Sequence, residues 1–263
     1  MICSICESTA APYCSAKVLG KYEVQYYQCS RCQFIFTEPP YWLGEAYDSA
    51  ITRLDIGLVQ RNQLMTPVVK AVINKWFKPQ ARFVDYGGGY GMLVRMMRDQ
   101  GFDFYRQDMY CANLYAESFD IADTEPFRAE LLTAFEVFEH LIDPVGEVEK
   151  MLALSDTILF STLVQPTATV TPDSWWYFIP ETGQHVSLYS QASLQKLADK
   201  FQLYYYWNGI DIHLFSRRPI NSWFFRLITH PRWSRWYNLT TTKRPTLLSR
   251  DFDAIRGQLN VNF

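Results

Sequence analysis

The order of apolar and polar positions sorts much of this chain into short strands and amphipathic helices. Phe83, Val84 and Tyr86 read as the end of a buried strand. Met92, Leu93, Met96 and Met97 recur at helical spacing and predict one apolar face. Phe102 to Tyr105 reads as a second short strand leading to Asp108, and Leu131 to Phe135 as a third apolar run. Asp143-Pro144 marks a helix start, with Asp as N-cap and Pro at the first helical position. Residues 157–162 read as the next strand. Gln191 to Phe201 predicts a helix with Leu194, Leu197, Ala198 and Phe201 on one face and Ser190 as its cap. Residues 202–207 and 210–216 read as two closing strands at an antiparallel end of the sheet. Residues 46–78 read as mainly helical, broken near Thr66-Pro67. Alternating strands and helices of this kind predict an α/β domain.

Chemistry enters between the first strand and its helix. Gly87, Gly88, Gly89 and Gly91 allow a tight turn with no Cβ in the way. A strand, a glycine loop, a helix and a second strand ending in an acid form a nucleoside-binding layout. A dinucleotide fingerprint would close on Gly or Ala, but the closing residue here is Met92 or Val94, depending on the starting glycine. The segment instead matches D-x-G-x-G-x-G through Asp85, Gly87, Gly89 and Gly91. On these residues the chain resembles the class I S-adenosylmethionine-dependent methyltransferases. The likeness continues through Leu131–Phe135, Glu136-Val-Phe-Glu139-His140-Leu, the Asp143-Pro144 helix and the strand at 157–162. It implies a Rossmann-like α/β fold whose mostly parallel seven-stranded sheet has an antiparallel last strand. It also implies that the glycine loop lies against the amino-acid part of the cofactor and that Asp108 binds the ribose hydroxyls. Asp85, Phe135 and Glu136 join the cofactor residues, and either Asp120 or Asp123 flanks the adenine.

A second motif stands at the N-terminus. Cys3-x-x-Cys6 and Cys29-x-x-Cys32 supply four thiolates at a spacing that closes a tetrahedral zinc site. The chain begins directly on the motif, with Met1-Ile2-Cys3 and no signal peptide. The expectation is therefore a cytoplasmic protein with reduced thiols, holding a structural zinc in a small ribbon in preference to two disulfides. So short a segment would draw much of its folding energy from the metal. Cys14 and Cys111 read as ordinary buried thiols.

Residues 165–217 carry the expectations about substrate. His185 is the candidate general base, because a neutral imidazole accepts a proton near pH 7. Glu139 and His140 are the next candidates for catalysis. Trp175, Trp176 and Tyr177 offer aromatic faces for a sugar or another flat ligand, though consecutive aromatics cannot all point one way. Gln184 and Tyr189 complete the expected substrate set. The ribbon, the class I core and the segment His185-Val-Ser-Leu-Tyr189-Ser190 together resemble the C-methyltransferases of deoxysugar pathways in about the first two thirds of the chain, and the wider group that joins a zinc ribbon to a class I core over roughly residues 1–217. In that group a histidine of this kind is the proposed base, and a further large domain follows the core. Here only about fifty residues follow it.

Composition sets the remaining bounds. The 263 residues carry 25 Lys and Arg against 27 Asp and Glu, a net charge of −2. That balance speaks against a protein that grips a phosphate backbone. No apolar run reaches the length of a membrane span. The expected organisation is a zinc ribbon at 1–40, the S-adenosylmethionine-binding domain with a helical lead-in at 41–217, and a basic aromatic tail at 218–263. Between Arg217 and Arg250 stand eight Lys or Arg and no acid, interleaved with Trp223, Phe224, Phe225, Trp233, Trp236 and Tyr237. Such a tail packs its aromatics on the core, or touches a membrane surface peripherally or a nucleic acid. The functional expectation is methyl transfer to the oxygen or carbon of a small molecule, with a nucleotide-linked or glycan sugar first. An RNA methyltransferase and a non-catalytic binding protein on the same fold are the alternatives. Oligomeric state is not legible.

Overall fold

The computed structural model describes residues 1–48 and 51–261. Along the chain come β1 (Ala10–Val18), β2 (Tyr22–Cys29), β3 (Ile35–Thr37), α1 (Leu43–Ala46) and α2 (Leu58–Trp76). Next are β4 (Arg82–Tyr86), α3 (Met92–Asp99), β5 (Asp103–Gln107), β6 (Leu131–Ala134), α4 (Pro144–Leu154) and β7 (Thr157–Ser161). The chain then forms β8 (Ser187–Leu188), α5 (Gln191–Lys200), β9 (Tyr204–Trp207), β10 (Ile212–Ser216), α6 (Ser222–Ile228), α7 (Pro231–Leu239) and α8 (Leu248–Val261).

Two sheets result. One has the strand order β5-β4-β6-β7-β10-β9. In it β4 runs parallel to β5 and β6, while β10 runs antiparallel to both β7 and β9. The fold is thus Rossmann-like α/β with an antiparallel last strand, as the sequence implies. The strand count is corrected from seven to six among the described residues. Beyond β5 only a single parallel bridge, Arg106 to Asp120, marks where another strand would add. The segment there carries Asp120, Asp123, Glu125 and Pro126 in place of an alternating apolar run, and Pro cannot donate to a ladder. The second sheet is β1-β2-β3-β8, antiparallel throughout.

By packing, the chain divides into two units whose limits cut across the three spans read from the sequence. The first contains Met1–Asp55, Ala134–Ala153 and Thr157–Pro219. Its core gathers Val18, Val24, Tyr26, Ile35, Trp42, Trp175, Tyr177, Phe178 and Leu188. The cysteine-bearing hairpin is therefore not a free-standing ribbon. Its sheet is completed by β8, with Ile35 opposite Leu188 and Phe36 opposite Ser187. In α5 the capping expectation holds, since Ser190 Oγ accepts the Ser193 N–H at 3.0 Å. Asp143 likewise accepts the Gly146 N–H at 3.1 Å at the start of α4.

The second unit contains Ile56–Thr133, Leu154–Asp156 and Ile220–Phe263. Helix α2 continues through Pro67, so the expected break is absent. The Asn238 side-chain amide donates to the Pro67 carbonyl at 2.8 Å and Thr66 Oγ1 donates to the Asn62 carbonyl, which ties down the backbone around the proline. Helix α3 buries Leu93, Val94, Met97 and Arg98, one position round from the face read from the methionines. Arg98 is enclosed because its guanidinium is fully partnered. It makes a paired contact to Asp251 at 2.8 and 2.7 Å, bonds to Asp103 and the Phe104 carbonyl at 2.8 Å, and lies over the Phe119 ring. Asp251 lies on α8, so the C-terminal residues form part of this unit's structure. Phe224 and Phe225 pack against Trp76, while Trp223, Trp233 and Trp236 stay exposed. No helix among the described residues is long and apolar enough to cross a membrane.

Candidate active site

The glycine loop leaves β4 at Tyr86 with three glycines in the left-handed region: Gly87 at φ +65°, Gly89 at +54° and Gly91 at +82°. Only glycine adopts this region without strain. A Cβ on Gly91 would stand 2.6 Å from Asn113 Oδ1 and 3.0 Å from Ala116 Cβ. One on Gly88 would stand 2.8 Å from Arg106 Cγ and 2.9 Å from Asp85 Oδ2. The loop is thus a backbone cradle with no room for a side chain at positions 88 and 91.

Asp108 holds that cradle. Its Oδ2 accepts the Gly89 N–H at 2.9 Å, and its Oδ1 accepts the N–H groups of Tyr110 and Cys111 at 2.8 Å. Arg106, which the motif does not flag, is buried beneath. It donates to the carbonyls of Gly89 and Cys111 and forms an ion pair with Asp120 at 2.6 Å. Asp120 is therefore the acid tied to the loop, and Asp123 joins it in a capping box. Asp85 is enclosed, with Thr133 Oγ1 donating to it at 2.6 Å. Burial raises its pKa to about 7 against the pull of Thr133, and the Asp108 charge adds to the rise.

In the first unit, Phe135 and Glu136 follow β6 and are half-buried. Glu136 takes a left-handed φ of +54°, rare for a side chain of its size. Its N–H donates to Ser161 Oγ at 2.8 Å, and that hydroxyl donates back to Oε1 at 2.7 Å. The turn Phe138–His140 comes next and is stitched to residues 184–189. The Val186 N–H donates to the Glu139 carbonyl, Ser187 Oγ to the Leu141 carbonyl, and Tyr189 Oη to the Phe138 carbonyl. This pairing brings Glu139 and His140 beside His185. The rings of His140 and His185 meet edge to face at 5.0 Å, and the three side chains' ligating atoms lie within 4.8 Å of one another. Burial raises the Glu139 carboxyl to about 8, and the Glu136 charge adds to the rise. Burial and the neighbouring His140 push the His185 imidazole well below its usual value.

Residues 59–206 match the family model for a methyltransferase domain. The chain belongs to this methyltransferase-domain family. None of the curated proteins matches it in sequence. Among solved structures it is similar to the mitomycin 7-O-methyltransferase MmcR, at 16% identity and a TM-score of 0.42 over 59% of this chain and 54% of that one. It is also similar to CalO1, a methyltransferase in calicheamicin biosynthesis in its SAH-bound form, at 14% identity and TM-score 0.45 over 68% of this chain and 60% of that one. A third is the magnesium protoporphyrin IX methyltransferase ChlM from Synechocystis PCC 6803, at 12% identity and TM-score 0.43 over 66% of this chain and 90% of that one. The chain spans little more than half the length of the first two.

The methyltransferase domain's expected substrate residues take different places. Tyr189 is fully enclosed with its hydroxyl spent on Phe138, Gln184 is buried with its amide donating to the Ala46 carbonyl, and Trp175 and Tyr177 are core. These four hold the loop, and none offers a face to a ligand. Trp176 alone of the aromatic run is exposed. His213, which the sequence reading missed, lies fully buried on β10, bridging the Thr162 carbonyl and the Tyr205 hydroxyl at 3.0 Å.

The four N-terminal cysteines come together as their spacing predicts. All four sulfurs lie within 4.8 Å of one another, with Cys3–Cys32 at 3.7 Å and Cys6–Cys29 at 3.4 Å. Zn–S bonds of about 2.3 Å in a tetrahedron require sulfurs about 3.8 Å apart, so the donor set fits zinc. The N–H groups of Arg31 and Cys32 point at Cys29 Sγ at 3.4 Å, a donor arrangement that stabilises thiolate. None of the cysteines among the described residues is in a disulfide. Burial pushes Cys14 and Cys111 up to about 11, as expected of inert thiols.

Proposed function

We propose that this chain transfers a methyl group from S-adenosylmethionine to a small-molecule acceptor. The observation that carries this reading is the cradle at Gly87–Gly91, whose backbone is held by Asp108 and leaves no room for a side chain at positions 88 and 91. When bound, S-adenosylmethionine supplies an electrophilic methyl on a sulfonium. Gly87, Gly89 and Gly91 would take its amino-acid part, with Asp85 enclosed beneath. Asp108 would take the ribose hydroxyls, and Phe135 and Glu136 complete the cofactor residues.

The chain's own contribution is alignment and exclusion of water, which supply on the order of 7–11 kcal/mol when reactants are well placed. Glu139, His140 and His185 are proposed as the group that activates the acceptor. The Tyr177 carbonyl accepts from His185 Nδ1 at 2.7 Å, which leaves Nε2 as the lone-pair nitrogen. The favoured acceptor is a hydroxyl, with a nucleotide-linked or glycan sugar as the first class to test, on the likeness of residues 185–190 to the deoxysugar group. The four cysteines are proposed to hold one structural zinc, since a closed thiolate set leaves no position for substrate. A cytoplasmic setting suits thiols that must stay reduced.

Calorimetric titration with S-adenosylmethionine and S-adenosylhomocysteine tests the cofactor. Low-micromolar or tighter binding at one site per chain is the expected result, and no detectable heat with either ligand would overturn the reading. A methyl-transfer screen over nucleotide sugars then tests the acceptor class.

A further inference from the structure

We propose that Glu139, His140 and His185 form a second metal site, distinct from the cysteines, that binds one divalent cation through a carboxylate and two imidazoles. Three observations lead to it.

The first is the donor set. One buried carboxylate and two half-buried imidazoles converge with their ligating atoms within 4.8 Å of one another. A cation bound at about 2.0–2.2 Å from each needs donors roughly 3–4 Å apart, so small rotations suffice to close the site. One carboxylate with two histidines is a donor set that zinc, manganese, iron and cobalt all accept.

The second is the state of each donor. The Tyr177 and Gln184 carbonyls can only accept, so the nitrogens they contact, His185 Nδ1 at 2.7 Å and His140 Nδ1 at 3.1 Å, must carry the protons. In a neutral ring each Nε2 then holds the lone pair. A backbone carbonyl on the far nitrogen is the usual way in which a ligating histidine is oriented.

The third is Glu139. It is fully buried, and neither of its oxygens has a hydrogen-bond partner among the described residues. The Tyr177 and Thr162 hydroxyls share one bond at 3.3 Å and lie close enough to pull the Glu139 pKa down, but burial outweighs them. Leaving a buried carboxylate unpaired is costly, and the nearby charge of Glu136 makes it costlier. Positive charge at this point would relieve both. A proton on Glu139 would neutralise the group, but it would not explain why a ligating atom of each of two imidazoles is held within 4.8 Å of it. The site is also rigidly built, since residues 138–141 are stitched to 186–189 by backbone and side-chain hydrogen bonds.

Three protein ligands leave open positions, and an oxygen of the acceptor would fill one of them. That role rests on the methyl-transfer reading, whereas the existence of the site does not.

The test is metal binding by the full chain as isolated, with no cofactor or acceptor present. Cobalt(II) is titrated into protein whose cysteines already hold zinc. One further equivalent is expected, with weak visible bands from nitrogen and oxygen ligands and without the intense near-ultraviolet band of thiolate ligation. Manganese(II), followed by calorimetry and by the thermal midpoint, gives an independent readout. Glu139→Gln and His185→Asn should each weaken both ions by at least tenfold and abolish the thermal shift. Absence of binding beyond the cysteine site in the wild type would overturn the proposal, as would equal binding by folded variants. If a variant fails to fold, the wild-type titration and its band pattern decide alone. A chain that binds the cation but not S-adenosylmethionine would keep the site and lose the proposed function.

Discussion

Asp108 separates two jobs that one carboxylate could do, binding a ribose or holding the loop that binds the cofactor. Its three backbone contacts, Gly89 N–H at 2.9 Å and the Tyr110 and Cys111 N–H groups at 2.8 Å, say that it holds the loop. The informative perturbation is Asp108→Asn, which keeps the shape and removes the charge. The amide oxygen would stay on Tyr110 and Cys111, where it keeps two bonds. Its NH2 would then face the Gly89 N–H, donor against donor. One bond to a charged acceptor is lost and one loop donor is left unpaired, worth about 1.5–3 kcal/mol. That corresponds to roughly a tenfold to hundredfold loss of affinity for S-adenosylmethionine. The two jobs differ in what happens without cofactor. If Asp108 holds the loop, the urea midpoint of the ligand-free variant falls as well. If it served the ribose alone, ligand-free stability would be unchanged and only affinity would drop. A variant with wild-type affinity and wild-type urea midpoint would refute the loop-holding argument outright. Asp108→Ala should do worse than Asn on both measures, though by less than three separate bonds, because water reaches this half-buried site and neighbouring losses do not add.

Gly91→Val places a branched side chain at φ +82° against Asn113 and Ala116, so S-adenosylmethionine binding should vanish in calorimetry, while Gly44→Ala, in open space, should leave it intact. Asp251→Ala removes the two-bond partner of the buried Arg98 guanidinium, leaving it Asp103 and the Phe104 carbonyl, and should cost about 3 kcal/mol in urea denaturation. Burial pushes the Asp251 carboxyl up, but Arg98 more than offsets this and holds it below its ordinary 3.8. Its folded pKa is depressed, so the stabilisation is complete above the unfolded value and is lost as pH falls through the folded one. Wild type and Asp251→Ala should therefore converge in stability in strong acid and diverge at neutral pH. A constant gap across that range would contradict this.

The parts of the site that the sequence shows best are those where backbone conformation or ligand spacing leaves few residue choices. Three positive-φ positions demanded glycine at 87, 89 and 91, and the cysteine pairs bring their own spacing. What the sequence concealed are contacts between distant residues with no periodic signature. Arg98 and Asp251 lie 153 residues apart, and nothing in the charge pattern joins them. Glu139 and His185 could be named singly as candidates, but their adjacency depends on the hydrogen-bonded pairing of 138–141 with 184–189. Tyr189 and Gln184 are expected at the substrate because they stand in the loop before the last long helix. Both polar tips are instead spent on backbone carbonyls. The missing seventh strand failed for the opposite reason, since 109–130 never carried a strand's alternation.

The pairing that builds the Glu139–His185 cluster also binds it to the cysteine hairpin. Residues 186–189 pair with β3 on one side and with the 138–141 turn on the other. Ser190 Oγ donates to the Cys32 carbonyl at 2.6 Å, and Gln165 bridges the carbonyls of Gln33 and Leu188. A metal at the cysteines would therefore do more than close a small module, because the backbone it stiffens is one strand away from His185. Where metal binding and folding are coupled, losing the metal loosens whatever shares its hydrogen bonds. Cys29→Ser should accordingly raise amide hydrogen exchange in β3, in 186–189 and in 138–141, while α2 and α3 keep their protection. Loss of protection confined to residues 1–37 would show instead that the hairpin melts alone, and that the cluster stands without it.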